Sequence, residues 1–538
     1  MKKFLSVFCT MMLIFSLVAC SSSDEEGNTN SIAQTNDSNQ LVIGLTNDIT
    51  SLDPAQNYTI SNFQVVNSIC DSILLFDHEG SLQPNLAKSW ECKDDVTYVY
   101  TFRDDVKFSD GSNLTMDDVI FSMERIMDPA TAAETNWAYA SVESVEQTGD
   151  WEITVHLTEA DALWQYIPAT SGGQIISKEY CEKAGTSFGN ADGGVMGTGA
   201  YKYVSWTTGS EVVLEKNEYY WGGAEDIPFT TVKYNVIEDA SSMAMAITSN
   251  QCNFAISPSL ESMSIYEGSD SVYINKEESV SNTMISFNCQ SAPFDDVNVR
   301  RAVSCAIDSV SIRTSLWGDY ATDSTSLPFG KKGYLLDTDL WTTLSDTIES
   351  YSYDIERAKE YLAQSGYADG FSCTLTTLNS STYNSIAQAI QYSLKELNID
   401  LTIKQVTTSE YYAYAYGSMM TDGIRDYDMM INRWTPDYMD PAGFLLPQYI
   451  TSNAGEGGSN YAAYSNTEVD ELALKQSQSV DNAERSNLMI EAYKIIADEA
   501  PYKMICYPDT IAVMNTKYYY EISPIWIYNF HVKDITLK

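Results

Sequence analysis

The order of apolar periods along the chain predicts an α/β protein of at least two lobes, and three observations predict it. The chain has 538 residues, more than one hydrophobic core organises. Residues 371–378, 383–397 and 399–406 read strand, helix, strand: β-rich runs flank a stretch whose apolar residues fall at Ile386, Ile390, Leu394 and Leu397. Such a unit requires parallel or mixed sheet in the second half. Elsewhere, alternating strands are interleaved with capped amphipathic helices, so sheet and helix share each core.

In chain order, Met1 to Cys20 has the form of a targeting segment. Lys2 and Lys3 precede an apolar stretch, residues 4–18, that is short for a membrane span and ends in Leu17, Val18, Ala19 and Cys20. That ending matches the lipobox of bacterial lipoproteins, so residues 1–19 are expected to be removed and Cys20 to carry the lipid anchor. Residues 20–40 are Ser, Asn, Thr, Asp and Glu with few apolar side chains and read as a flexible tether.

Residues 41–45 (LVIGL) open the folded part as a buried strand, and Ser51, Leu52, Asp53 and Pro54 turn the chain. Phe63, Val66, Ile69, Ile73 and Leu74 form a helical stripe that leads into an extended segment. Residues 96–108 alternate, with Tyr98, Tyr100 and Phe102 on one face; Thr115 and Asp118 have capping-box spacing before Val119, Ile120, Met123 and Ile126. Residues 151–157 and 231–237 are further strands, the latter followed by a helix through Met243, Ala246 and Ile247. Residues 284–288 form another strand. Asp295 or Asp296 caps a helix with apolar positions Val299, Val303, Ala306 and Val310, and Asp354 caps one that stops at Gly366. Helices over 467–478 and 482–499 precede the final strands.

Composition excludes several classes. Thirty-one basic against 74 acidic residues give a formal charge of −43, with no basic stripe, so the surface repels nucleic acid. The glycine-rich run 193–199 (GGVMGTG) lacks the Lys-Ser/Thr that completes a phosphate-binding loop, and residues 200–206 alternate like a strand rather than opening a helix. There is no G-x-S-x-G or H-E-x-x-H, and three histidines, His78, His156 and His531, leave little for general-base work; an enzyme is not expected, nor a cofactor or a metal site. Beyond Cys9 and Cys20, eight scattered cysteines lack C-x-x-C spacing and are read mostly as buried free thiols.

The stretch most able to hold a ligand is 433–444 (RWTPDYMDPAGF), after the short apolar run 427–431. Pro436 and Pro441 bar helix and bias the residues before them to extended geometry. The loop therefore presents Trp434 and Asp437 in set directions, an indole beside a carboxylate, suited to an amine with apolar neighbours. Asp440 is better explained by its Asp-Pro turn.

Several segments together resemble the extracellular solute-binding proteins of peptide ABC importers, the oligopeptide- and dipeptide-binding family, which also includes nickel and oligosaccharide binders. They are 51–54 (SLDP), 82–90, 102–125 (FRDDVKFSDGSNLTMDDVIFSMER), 197–221, 293–308, 353–366 and 434–441, in the family's order. The resemblance implies a periplasmic-binding-protein-like type II (cluster C) α/β fold with two hinged lobes and an inserted domain. Residues 41–77, 195–287 and 505–538 would form lobe 1, 78–194 the insert, and 288–504 lobe 2. It implies capture of an oligopeptide or dipeptide between the lobes and delivery to the permease subunits by a monomer tethered through lipid to the outside of the bacterial membrane. An oligosaccharide held by the same clamp, or a role as peptide-signal receptor, are the alternatives. By the W-x-x-D pattern, Asp437 would pair with the peptide's α-ammonium beside Trp434 and Tyr438, and Tyr58 and Ile60, after the SLDP turn, would lie near the cleft. Arg433 and Arg357 are candidates for the ligand's carboxylate. Nickel is disfavoured, since none of the three histidines falls in the second lobe.

Overall fold

A computed structural model describes residues 39–56, 59–330 and 338–538. The expected signal segment, Cys20 and all but the end of the tether lie outside the described residues, as does Tyr58. No described helix is long and apolar enough to cross a membrane. Residues 39–538 form one compact unit.

A twelve-stranded sheet runs through the unit, and strand Tyr502–Asn515 lies at its middle. The N-terminal half of that strand pairs antiparallel with Asn282–Phe287 and Ala321–Asp323; the C-terminal half pairs with Phe254–Ile256 and Val272–Glu278. On one side, Gln40–Leu45 is parallel to both Thr231–Val236 and Phe254–Ile256. On the other, Ser372–Leu378 is parallel to Asp400–Val406 and Met429–Trp434. Each flank thus has parallel strand pairs at its centre, and the two share one long strand.

The strand–helix–strand unit forms as its periodicity predicts. Helix Ser381–Leu394 is capped by Ser380, whose hydroxyl accepts from Tyr383 N, and it buries Ile386, Ala387, Ile390 and Leu394. A 3-10 turn takes up Lys395–Leu397. Asp296 caps Val297–Ala306, but that helix ends there and a second, Ser309–Leu316, starts on an Asp308 cap. Val310 consequently leaves the apolar face and is 53% exposed.

The capping box at Thr115 and Asp118 is formed. The helix it starts, Met116–Met127, carries Arg125, which makes a two-pronged ion pair with Asp53 of the SLDP turn at 2.8 and 2.6 Å. Two motifs 72 residues apart in sequence are therefore one buried interaction. Glycines 197 and 199 also act in packing. A Cβ on Gly197 would lie 2.3 Å from Ile69 O, and one on Gly199 2.7 Å from Ile69 C, so the loop passes flush against the end of helix Ile60–Ile69. A separate four-stranded antiparallel sheet holds Ala87–Cys92, Thr97–Phe102, Glu152–Leu157 and Val142–Gly149 in that order. The eight described cysteines are free, six of them buried.

Candidate functional site

Strand Met429–Trp434 pairs with Asn282–Phe287 so that Trp434 stands opposite Asn282, whose side-chain oxygen accepts from Trp434 N at 3.2 Å. Beyond the strand, the chain cannot continue the ladder because Pro436 lacks an N–H. The loop is instead held by side chains. Thr435 and Ser281 share a 2.7 Å hydroxyl contact, and Trp434 Nε1 donates to Gly443 O at 2.9 Å. Gly443 packs so closely that a Cβ there would lie 3.0 Å from Pro436 Cβ and 3.2 Å from the Tyr438 ring. The loop is folded back on the start of helix Ala442–Tyr449.

Asp440 closes this fold-back. Its Oδ1 accepts from Ala442 N at 2.9 Å, and both carboxylate oxygens accept from Arg485 at 2.9 and 3.0 Å, with both side chains fully buried. The turn role read from the sequence is present, and a buried ion pair fixes it. Tyr438 is buried and stacks on Tyr166, ring centroids 5.1 Å apart at 16°.

Asp437, three residues before Asp440, has no such cation among the described residues. It is half-buried, and its Oδ1 accepts a short hydrogen bond from the Tyr528 hydroxyl. Burial pushes its carboxyl up to about 6, against which the Tyr528 hydrogen bond works. Asp437, Trp434 and Tyr438 all line one cavity of about 440 Å³. The opposing contribution comes from segments 137–141 and 159–167, including Trp137, Asp161 and Leu163, with Tyr416 and Leu446 completing the apolar lining. Segment 159–167 is joined to helix Thr467–Ser477 by Ala162 N donating to Ser477 O at 2.7 Å and by Gln478 donating to Glu159 at 2.7 Å.

Three expected site residues thus meet at one cavity. Ile60 begins helix Ile60–Ile69, is 44% exposed and is not among the lining residues; Tyr58 lies outside the described residues. Neither arginine considered for a ligand carboxylate reaches the cavity. Arg357 is engaged by Glu349 at 2.6 Å and Tyr361 at 2.9 Å, and Arg433 is exposed and donates to Ser281 at 3.2 Å. Sequence reading missed Tyr528, Asp161 and Trp137, which come from distant segments with no local motif.

This arrangement is a partly open cleft with aromatic side chains and carboxylates in its lining, able to bind a cationic guest. Comparisons with known proteins agree with a binding role. The family model for bacterial extracellular solute-binding proteins, family 5 (middle region), matches residues 81–456. Heme-binding protein A of Haemophilus influenzae is 27% identical over 474 residues, covering 83% of this chain and 82% of that protein. The glutathione-binding protein GsiB of Escherichia coli K12 is 25% identical over 467 residues, covering 86% and 88%. The fold is that of the periplasmic binding protein DppA from Helicobacter pylori, solved with the peptide STSA: TM-score 0.79, 24% identity, covering 93% of this chain and 98% of DppA. With an α/β architecture of this type and the family model spanning most of its length, the chain belongs to the bacterial extracellular solute-binding proteins of family 5, the substrate-binding components of ABC transporters.

Proposed function

We propose that the protein captures peptides with a free N-terminus, the α-ammonium pairing with Asp437 and the first residues lying against Trp434 and Tyr438, and passes them to an ABC permease. The observation that carries this reading is the Asp437 carboxyl: half-buried, raised to about 6 by burial, without a cationic partner among the described residues and lining the cavity. An ammonium supplied by the ligand would relieve that cost. Haem carries propionates and no amine, whereas Glu159, Asp161 and Asp437 line this cavity and none of its described lining residues is Lys, Arg or His. Electrostatics therefore favours an amine-bearing ligand, glutathione with its free α-ammonium included, over the propionate-bearing haem.

In this proposal the two flanks of the large sheet are hinged lobes. The chain crosses between them near residues 279–281 and 508–509, where strand Tyr502–Asn515 changes partners. This assigns Asn282–Phe287 to the second lobe and the four-stranded unit to the insert. Tyr528, from the proposed first lobe, already meets Asp437 of the proposed second, so this contact belongs to a closed form, and a ligand touching both lobes would shift the hinge equilibrium towards it. Cys20 would supply the lipid anchor on the outer face of the membrane, and the protein would act as a monomer.

Calorimetry with free and N-acetylated forms of the same tripeptides tests the assignment. Acetylation, or Asp437→Asn, is expected to cost about 2–5 kcal/mol of binding. Equal affinity for free and acetylated peptide would overturn it. Mass spectrometry of material co-purifying with the protein distinguishes peptide from sugar directly.

A further inference from the structure

Helix Ile60–Ile69 is enclosed on all sides: every residue from Ser61 to Ile69 is buried, polar ones included. Buried amides and hydroxyls require partners, and where each one goes shows what the helix holds. Ser61 Oγ donates to Asn47 O at 2.8 Å and Asn62 Oδ1 accepts from Thr50 N at 2.9 Å, so the first turn holds the loop after strand Gln40–Leu45. Asn67, in the last turn, reaches the other end of the chain. Its Nδ2 donates to Ile527 O at 2.8 Å, its Oδ1 accepts from Gln174 Nε2 at 2.9 Å, and its backbone oxygen accepts from His531 Nδ1 at 2.9 Å. Phe63, four residues earlier and on the same helix face, packs edge-on against the Tyr528 ring, centroids 5.1 Å apart at 76°. Residues 527, 528 and 531 are thus fastened to one helix on both sides of the hydroxyl that donates to Asp437.

We infer that Asn67 is a positioning residue for the ligand site: it fixes segment 527–531 to helix Ile60–Ile69 so that the Tyr528 hydroxyl meets Asp437, and thereby tunes the carboxylate that receives a ligand ammonium. The inference rests on the proposed function, since it takes Asp437 to be the ligand's partner. It adds a residue outside the cavity lining to those that set binding. A hydrogen bond weakens steeply as its distance and angle leave the ideal, so a clamp on the residue next to Tyr528 controls how well that hydroxyl donates. The titratable groups facing Asp437 are Tyr528, by its hydrogen bond, and Tyr438, around which lie Asp440, Asp161 and Arg485. Asn67 is uncharged and hydrogen-bonds none of these, so its influence on Asp437 passes through segment 527–531.

The experiment is calorimetry across the acid-to-neutral range with alanine-, leucine- and phenylalanine-based tripeptides, each with a free and with an acetylated N-terminus. It is run on wild type, Asn67→Leu, Tyr528→Phe and the combination of the two. Leucine keeps the backbone oxygen that receives His531 and much of the side-chain volume, but it cannot donate to Ile527. Asn67→Leu is expected to move the pH midpoint of free-peptide binding upward by about half a pH unit or more, in the direction of Tyr528→Phe, and to add about 0.2 or less on top of Tyr528→Phe. A purely structural loss would weaken binding alike at every pH and leave the midpoint in place. That result in a folded Asn67→Leu overturns the inference, as does an equal shift with and without the Tyr528 hydroxyl. Gln174→Met removes the donor to the Asn67 side-chain oxygen and is expected to move the midpoint the same way by less. It decides the matter if Asn67→Leu does not fold, an unmoved midpoint overturning the inference. If wild type binds free and acetylated peptides equally, or binds none of them, the proposed function fails and the positioning role with it. If wild type prefers the free peptides and the variants leave its midpoint unmoved, the positioning role alone fails.

Discussion

Asp437 and Asp440 lie three residues apart in one loop and have opposite surroundings. Asp440 is fully enclosed with Arg485, its carboxylate filled by two guanidinium hydrogen bonds and the Ala442 amide. Asp437 faces a cavity with one tyrosine hydroxyl as its donor, and burial lifts it to about 6. The first is complete within the protein and serves to fix the loop. The second is expensive to ionise within the protein and becomes satisfied when something cationic arrives. One short segment therefore contains both the clamp that sets geometry and the group that uses it.

Breaking the clamp gives the largest expected effect. Asp440→Asn leaves Arg485 buried without a counter-charge and should cost about 3–5 kcal/mol in urea unfolding. A loss under about 1 kcal/mol would mean that the pair does not organise the loop. Asp437→Asn should behave oppositely in the free protein. The native carboxyl sits above its ordinary value, so the native state binds more protons than the unfolded state between pH 4 and about 6. That group's favourable contribution is present at low pH and is lost as pH rises through about 6. The variant should therefore be at least as stable as wild type at pH 7.5, with its relative advantage shrinking at pH 4.5; a variant less stable at pH 7.5 would contradict the burial argument.

Binding sharpens the same contrast. An ammonium on Asp437 favours the ionised form, so free-amine peptides should lose affinity as pH falls below about 6, approaching tenfold per unit, and should release about half a proton on binding near that pH and close to one below it. Calorimetry in buffers of different ionisation enthalpy measures the proton. Tyr528→Phe removes the hydroxyl that stabilises the carboxylate and should move the pH midpoint upward; an unchanged midpoint would remove Tyr528 from the site. The smallest effect is expected for Arg357→Ala. Its partners Glu349 and Tyr361 are outside the cavity lining, so peptide affinity should not change, with stability altered by about 1 kcal/mol or less.

The parts legible in the sequence are those controlled by neighbours along the chain. The capping box at Thr115, the Asp354 cap and the helix face of Ile386, Ile390 and Leu394 are set by three- and four-residue spacings, and all are present. Val310 shows where such reading fails: the 3.6-residue period continues through Ile307 and Asp308, but the backbone leaves the helix and restarts on a new cap. At the site, Trp434, Asp437 and Tyr438 stood out because two prolines and an indole are dense in one loop. Tyr528 is 91 residues away in sequence and Asp161 is on the far wall, and neither has a local signal.

By itself the sequence determined the α/β alternation, the caps, the proline-bounded loop and its family signature, because each depends on the spacing and chemistry of residues close together in the chain. Only the tertiary structure decided which of two carboxylates in that loop would be neutralised by an arginine and which would face an aromatic cavity. That choice is electrostatic, and it was made when Arg485 was folded onto Asp440 and Tyr528 onto Asp437 from segments that the sequence keeps apart.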